Sequence, residues 1–147
     1  MSTIQNLVAG LGGAIALNVL HESLKYTGTN MPRIDLLGEE ALQKGLHYFN
    51  TGIDDKDRLY YATLAGDVIS NSIYYSTIGI GKSKHVWLRA IAIGLAAGVG
   101  AVALPKPMGL DPQPVARNKR VATLTVAYYL AGAIVAGGLV KILGSKK

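Results

Sequence analysis

The stretch VATLTVAYYLAGAIVAGGLV, residues 121–140, contains no charged side chain and is followed directly by Lys141. An α-helix rises 1.5 Å per residue, so a helical run of this length crosses the roughly 30 Å hydrocarbon core of a bilayer. A second uncharged run, residues 1–20, opens the chain. Two such runs predict an integral membrane protein built from helices.

Two further apolar runs are each interrupted by a charge. Residues 59–81 contain Asp67, and residues 86–104 contain Arg89. Their length still favours bilayer-crossing helices, because one ionisable side chain can face other helices or extend back to the membrane surface. We therefore predict an all-α fold, an integral membrane bundle of four transmembrane helices that forms a single domain over residues 1–147. The predicted spans are residues 3–25, 58–80, 85–104 and 119–143.

The two long connections differ in character. Within residues 27–57, apolar side chains recur at helical spacing opposite charged ones, which predicts a short amphipathic surface helix over residues 36–49 that Asp35 caps. Residues 105–118 contain four prolines, which predict an extended, non-helical loop. Residues 32–35 and the proline-rich loop are either lids over polar groups in the membrane or ordinary turns.

The composition excludes several classes of site. The chain has no cysteine, so it has no disulfide, no thiolate nucleophile and no cysteine-bound metal. Charged residues make up 16% of the chain, below the roughly 25% of soluble domains. The net charge of +6 comes from Lys and Arg beside apolar runs, where lipid headgroups are the natural counter-charge. We predict the lipid bilayer as a partner, with no nucleic-acid partner and no cofactor.

The distribution of basic residues gives a weak indication of orientation. Nine Lys and Arg fall in the two long loops and six on the opposite side, including Lys146 and Lys147. Cytoplasmic segments are enriched in these residues, so the count leans toward cytoplasmic long loops in a multi-pass protein of a bacterial inner membrane. The lean is slight, because the short basic turn at residues 82–84 belongs to the kind of segment that usually stays inside.

Small residues recur at a spacing of four inside the spans. Gly94 with Gly98, and Gly132 with Ala136, are two such pairs. Lipid supplies no hydrophobic force between helices, so close backbone approach has to provide the packing contacts. These pairs predict tight helix packing within the chain or between copies. We expect self-association through a face that includes Gly94, Gly98 or Gly132, in a homo-oligomer or with a membrane-complex partner.

Polar side chains inside the predicted spans are the candidate binding residues. From the helical rise, Asn18, Asp67 and Tyr128 each lie about 12 Å from the membrane surface that carries the long loops. They predict one polar layer that is open toward those loops. Polar residues on the same helix faces, such as His21 and Glu22, extend this layer toward the membrane surface that carries the long loops. The candidate ligand- or ion-binding residues are Asp67, Asn18, His21, Glu22, Asn71 and Tyr128.

Asp67 is the first candidate, because a carboxylate at this depth has to be protonated, hydrogen-bonded or hydrated. Such a group suits proton exchange, and the alternative is that it only fastens helices together. His21 and Glu22 begin like the zinc-protease motif His-Glu-x-x-His, but Lys25 stands where the second histidine is required. A looser metal site from His21, Glu22 and Asp67, with His47 as a further ligand, is the weaker alternative.

Three functions fit these features. In the first, the polar layer binds or conducts a proton, an ion or a small polar solute. In the second, the chain is an accessory or structural subunit of a larger membrane complex. In the third, it is an intramembrane enzyme that uses Asp67, Glu22 and His21 on a lipid-derived substrate, so the sequence leaves open whether it is an enzyme. Four spans are few for alternating access, and the first function therefore implies a homo-oligomer.

Overall fold

The computed structural model describes residues 1–145 and is helical throughout, with no strand in that range. Lys146 and Lys147, which entered the charge count, lie outside the described residues. Single 3₁₀ turns at Thr77–Gly79 and Ser83–His85 separate the third and fourth helices. The all-α prediction is confirmed. The helices are α1 (Thr3–Leu24), α2 (Ile34–Tyr48), α3 (Lys56–Ser76), α4 (Val86–Ala103), α5 (Gln113–Ala116) and α6 (Lys119–Gly144).

Three helical segments are long and apolar enough to cross a membrane: α1, α6 and the segment Ser83–Ala103 that contains α4. The ends of α1, α4 and α6 lie within about one residue of the predicted spans, because long charge-free runs leave little choice of boundary. α3 has 21 residues and so the length of a span, but it is less apolar than the other three.

Side-chain caps fix where three of the long helices begin. Ser2 accepts a hydrogen bond from the Gln5 backbone N–H, and the Gln5 side chain accepts one from the Ser2 N–H, which forms a capping box at α1. Asp55 caps α3 through the Arg58 N–H, and Asn118 caps α6 in the same way. These caps satisfy backbone donors that have no partner inside the helix.

The long helices pack side by side in the spatial order α3, α1, α6, α4. Each neighbouring pair is antiparallel, since Asn18 of α1 meets Asp67 of α3 while Asn6 lies near Gly79 at the other end. Both long loops therefore lie at one end of the helices, together with the C-terminus of α1 and the N-termini of α3 and α6. α3 and α4 make no extensive contact with each other.

Glycines set the closest approach between helices. A Cβ atom on Gly98 would lie 2.6 Å from the Val126 Cα, and one on Gly94 would lie 2.9 Å from the Leu130 Cα. Gly132 is buried against α1 in a similar way. A second copy cannot reach these glycines without separating helices of the same chain. The face that we expected to mediate self-association is therefore already used within the chain.

The close α4–α6 contact makes Gly98 sensitive to a single added carbon. We expect Gly98→Ala to lower the free energy of unfolding by about 1–3 kcal/mol, because backbone atoms of α6 have to move. Gly66→Ala is the matched control, since nothing lies within 4 Å of its added Cβ. That change should be neutral or stabilise the helix by up to about 1 kcal/mol. Thermal unfolding in mild detergent measures both, and equal effects of the two changes would contradict this packing.

Candidate functional site

Polar side chains of α1 and α3 meet at Asp67. The Asn18 Nδ2 donates to Asp67 Oδ2 at 2.8 Å, and the Asn71 Nδ2, one turn further along α3, donates to Asp67 Oδ1 at 3.0 Å. Both oxygens of the carboxyl group thus accept an amide N–H. We term these three residues the Asp67 site. The donors replace water around a group that would otherwise be costly to bury.

A second group of polar side chains surrounds Asp35 at the start of α2. Arg33 donates to both carboxylate oxygens, at 2.9 and 2.7 Å, and Lys25 Nζ lies 3.3 Å from Oδ2. Lys25 also pairs with Glu22 at 2.8 Å. We term these four residues, together with His21, the Asp35 cluster. The side chains of Asp35 and Lys25 are each 7% exposed, so their charges are balanced by each other rather than by water.

Asp35 does not cap α2, which corrects the sequence prediction. The helix begins at Ile34, its N-cap residue is Arg33, and no side chain caps it. Asp35 lies in the first turn, where its carboxylate bonds Arg33 in a two-pronged arrangement that is stronger than a single bond to a backbone N–H. The sequence contains the two cations of this arrangement, because Arg33 lies two residues before Asp35 and Lys25 lies near the end of α1.

The carboxyl group of Asp35 stays ionised near neutral pH. Burial by itself would raise the pKa of the Asp35 carboxyl, but the Arg33 guanidinium, together with His21 when it is protonated, holds that pKa well below its usual range. The pKa of Arg33 is raised, first by the hydrogen bond to Asp35. Burial and the nearby negative charge of Asp35 raise the pKa of Glu39. Asp35 is therefore a permanent anion of the cluster.

His21, on α1, is the member of the Asp35 cluster that follows Asn18 of the Asp67 site by about one helical turn. Its Nε2 is 3.2 Å from the Ile34 backbone nitrogen and 3.4 Å from Asp35 Oδ1, and its Nδ1 is 3.4 Å from Glu22. The Ile34 N–H can bond only to an unprotonated Nε2, whereas Asp35 attracts a protonated one. The same nitrogen thus has a partner in either protonation state.

A cavity of about 30 Å³ joins the two groups. This volume is roughly the share of one water molecule in the liquid. Thr63 is buried, and its hydroxyl has no hydrogen-bond partner within residues 1–145. The cavity therefore suits a polar species no larger than water. Its polar lining consists of Asn18, His21, Asp35, Tyr60, Thr63 and Asp67.

Tyr128 does not join this layer, contrary to the prediction. It does not line the cavity, and its hydroxyl is buried without a partner in the described part of the chain. α6 packs mainly against α1 and α4. Tyr128 therefore does not reach Asp67, although both were predicted to lie at a similar depth. Arg89 also stays apart, because it donates to the carbonyl oxygens of Ile78, at 2.8 Å, and Lys82, at 3.0 Å. Those bonds close the turn at the opposite end of the helices.

The two long loops are fastened to each other over the Asp35 cluster. The Arg33 N–H donates to the Pro114 carbonyl at 2.8 Å, and Arg117 donates to the Met31 carbonyl at 3.1 Å. Lys44 of α2 likewise donates to backbone carbonyls of the proline-rich loop. That loop contains one helical turn, α5, where the sequence predicted none. A proline near the start of a helix loses no intrahelical hydrogen bond, which permits this turn.

An apolar groove of about 800 Å³ opens between α3 and α4, above Tyr129 of α6. Small residues such as Ala97 form its α4 wall, and Asn71 contributes to its α3 wall. Asn71 therefore contacts Asp67 and also borders the groove. The sequence did not predict this groove, because it depends on the separation of α3 from α4 and on no pattern within either helix.

The metal alternative gains no support from the geometry. Among residues 1–145, no group of three or more His, Cys, Asp or Glu side chains is arranged to hold an ion. His47 lies near the end of α2, remote from Asp35 in its first turn. Comparisons with protein-family models, with curated proteins and with solved structures find no match to this chain.

Removing the negative charge of Asp35 should lower the free energy of unfolding. In Asp35→Asn, Lys25 and Arg33 lose their shared counter-charge, and we expect a loss of about 3 kcal/mol of unfolding free energy near neutral pH. The folded-state pKa of Asp35 is depressed, so its contribution is present above the unfolded-state pKa of about 3.9 and is lost as pH falls below it. The gap between wild type and variant should therefore shrink below about pH 4.

Denaturant unfolding in detergent at neutral and acidic pH measures this gap. Asp54→Asn is the matched control, because Asp54 is exposed. It should change the free energy of unfolding by no more than about 0.5 kcal/mol. A similar loss in both variants, or a gap for Asp35→Asn that does not depend on pH, would show that the cluster is not held by this carboxylate.

Proposed function

We propose that this chain is an integral membrane protein of four spans that binds and transfers a proton at the Asp67 site. The observation that supports this best is the small polar cavity between Asp67 and His21. Both side chains can gain and lose a proton, and the space between them suits a particle no larger than water.

The charges around the cavity favour a single positive charge, as a proton supplies, over a divalent metal ion. Three carboxylates and two permanent cations lie in the Asp35 cluster and the Asp67 site, which leaves one negative charge when His21 is neutral. Charges in a poorly solvated environment need to be balanced. A single proton on His21 or Asp67 supplies that balance, whereas a divalent metal ion would leave an excess of positive charge.

α3 completes the proposed membrane unit as its fourth span. Its 21 residues extend about 31 Å, and it packs antiparallel against α1. Apart from Asp67, its charged residues all lie in the first turn. Ile69 and Ile73 are 61% and 57% exposed on its outer face. A helix with this surface beside a bilayer-crossing helix is accommodated best in hydrocarbon.

The fourth span can be tested by labelling single cysteines, because the natural chain has none. We expect Ile69→Cys and Ile73→Cys to resist a membrane-impermeant maleimide in sealed vesicles, since both side chains face lipid. Asp54→Cys and Lys82→Cys should react from opposite sides of the membrane, and the side that labels Asp54→Cys gives the orientation. Equal labelling of Ile73→Cys and Asp54→Cys would contradict a membrane-crossing α3.

Self-assembly is part of the same proposal. Toward the surface opposite the long loops, α1 and α3 are in close contact at Gly10 and Ser72. A proton path from Asp67 to that surface would therefore run between copies of the chain rather than between these helices. Four spans in one chain are also few for alternating access, and a homo-oligomer supplies the additional helix surfaces that such a mechanism needs.

Proton movement in vesicles tests the function directly. Vesicles that hold the purified protein and an internal pH-sensitive dye should acidify faster than empty vesicles when a potential, negative inside, drives protons inward. Asp67→Asn should slow this by about tenfold or more, because Asn keeps the size of the side chain but cannot carry the proton. Asp54→Asn serves as the control and should match wild type.

Two results would overturn the proposal. One is equal proton flux in wild type and Asp67→Asn, and the other is flux no greater than in empty vesicles. If the second result came with a different protein that copurifies in constant ratio, the accessory-subunit function would be favoured instead. A defined homo-oligomer in mild detergent, measured by light scattering, is expected if the proton path lies between copies.

A further inference from the structure

Thr63 lines the small cavity with a hydroxyl whose bonding is not met by the protein. The residue is 8% exposed, and its Oγ1 has no partner within the described part of the chain. An unbonded buried hydroxyl is destabilising, and in native proteins such a group bonds to the protein or to ordered water. The cavity beside Thr63 has room for one water molecule.

We propose that the cavity is a binding site for one water molecule, held by Thr63 Oγ1 and the Asp67 carboxyl group beside the His21 ring, and that this water carries the proton between Asp67 and His21. Two polar partners lie within the range of about two to four that is typical of a buried water. The inference rests on the proposed function, because it names the carrier within the same site.

The transfer balances in protons and charge. The O–H bond of protonated Asp67 breaks as its proton moves to the water oxygen. At the same time, one O–H bond of the water breaks as its proton moves to His21 Nε2. The products are an Asp67 carboxylate, an imidazolium and an unchanged water molecule. The reverse sequence returns the proton to Asp67.

Partners for both products are already in place. The Asp67 carboxylate accepts hydrogen bonds from Asn18 and Asn71, at 2.8 and 3.0 Å. The protonated Nε2 exchanges the Ile34 N–H for Asp35 Oδ1, which lies 3.4 Å away. The Ile34 N–H has to leave the lone pair of Nε2 before the water can bond there, so a movement of the His21 ring or of the start of α2 precedes the transfer.

The charged groups that face His21 also determine where the proton leaves. Lys25 and Arg33 hold Asp35 ionised, so that carboxylate balances charge and does not take the proton. Glu22 lies 3.4 Å from Nδ1 and is 31% exposed, which makes it the group that passes the proton to the long-loop surface. The titratable or charged groups around His21 are Glu22 and Lys25 at the end of α1, Arg33, Asp35 and Glu39 at α2, and Tyr60 and Asp67 on α3.

Thr63→Val tests the water site, because it removes the hydroxyl while keeping the shape of the side chain. We expect proton flux into vesicles to fall by about tenfold. Thr63→Ser, which keeps the hydroxyl, should restore it. Thr51→Val is the matched control at an exposed position and should behave as wild type. Equal flux in Thr63→Val and wild type would overturn the water relay while leaving the proposed function in place.

A second measurement needs no change at Thr63. In a background with His47→Gln and His85→Gln, His21 is the only imidazole, and magnetisation transfer in NMR reports whether a long-lived water contacts its ring. The proposal expects such a water, and its absence would overturn the relay even if Thr63→Val does not fold. The proposed function itself fails separately, if neither His21 nor Asp67 changes protonation with pH in the wild-type background.

Discussion

The two hydrogen bonds that Asn18 and Asn71 donate to Asp67 are the constraint on which the rest of the site depends. A carboxyl group between apolar helices is tolerated where protein donors replace the lost water. One of these donors belongs to α1 and the other to α3 itself, so the contact fixes the register of the helix pair. That register brings Thr63 and His21 to the same cavity and places α2 with the Asp35 cluster beside it.

The ends of α1, α4 and α6 could be predicted from the sequence because charge-free runs and the proline-rich loop act within a few residues. The third span was predicted to end at residue 80, but α3 ends at Ser76 and gives way to a 3₁₀ turn. The pairing of Asn18 with Asp67 followed from equal depth on neighbouring helices. The depth of a residue does not indicate, however, toward which neighbouring helix its side chain points. For this reason Tyr128, placed at a similar depth, was assigned to a layer that α6 does not face.

The Asp35 cluster could not be predicted, because it depends on how a loop folds back onto α1. Asp35 has the local pattern of a helix cap, and only the three-dimensional arrangement shows that Arg33 and Lys25 donate to its carboxylate. The apolar groove was missed for a related reason, since it exists where α3 and α4 fail to meet. Contacts between elements far apart in sequence thus decide the chemistry of the site, whereas the helices that carry it are determined locally.

The infrared carboxyl signal of Asp67, followed against pH in lipid, is the sharpest test of whether this side chain exchanges a proton. We expect one protonated-carboxyl band per chain that appears and disappears reversibly with pH and that Asp67→Asn removes. An identical carboxyl spectrum in wild type and Asp67→Asn at every pH would contradict proton exchange at Asp67.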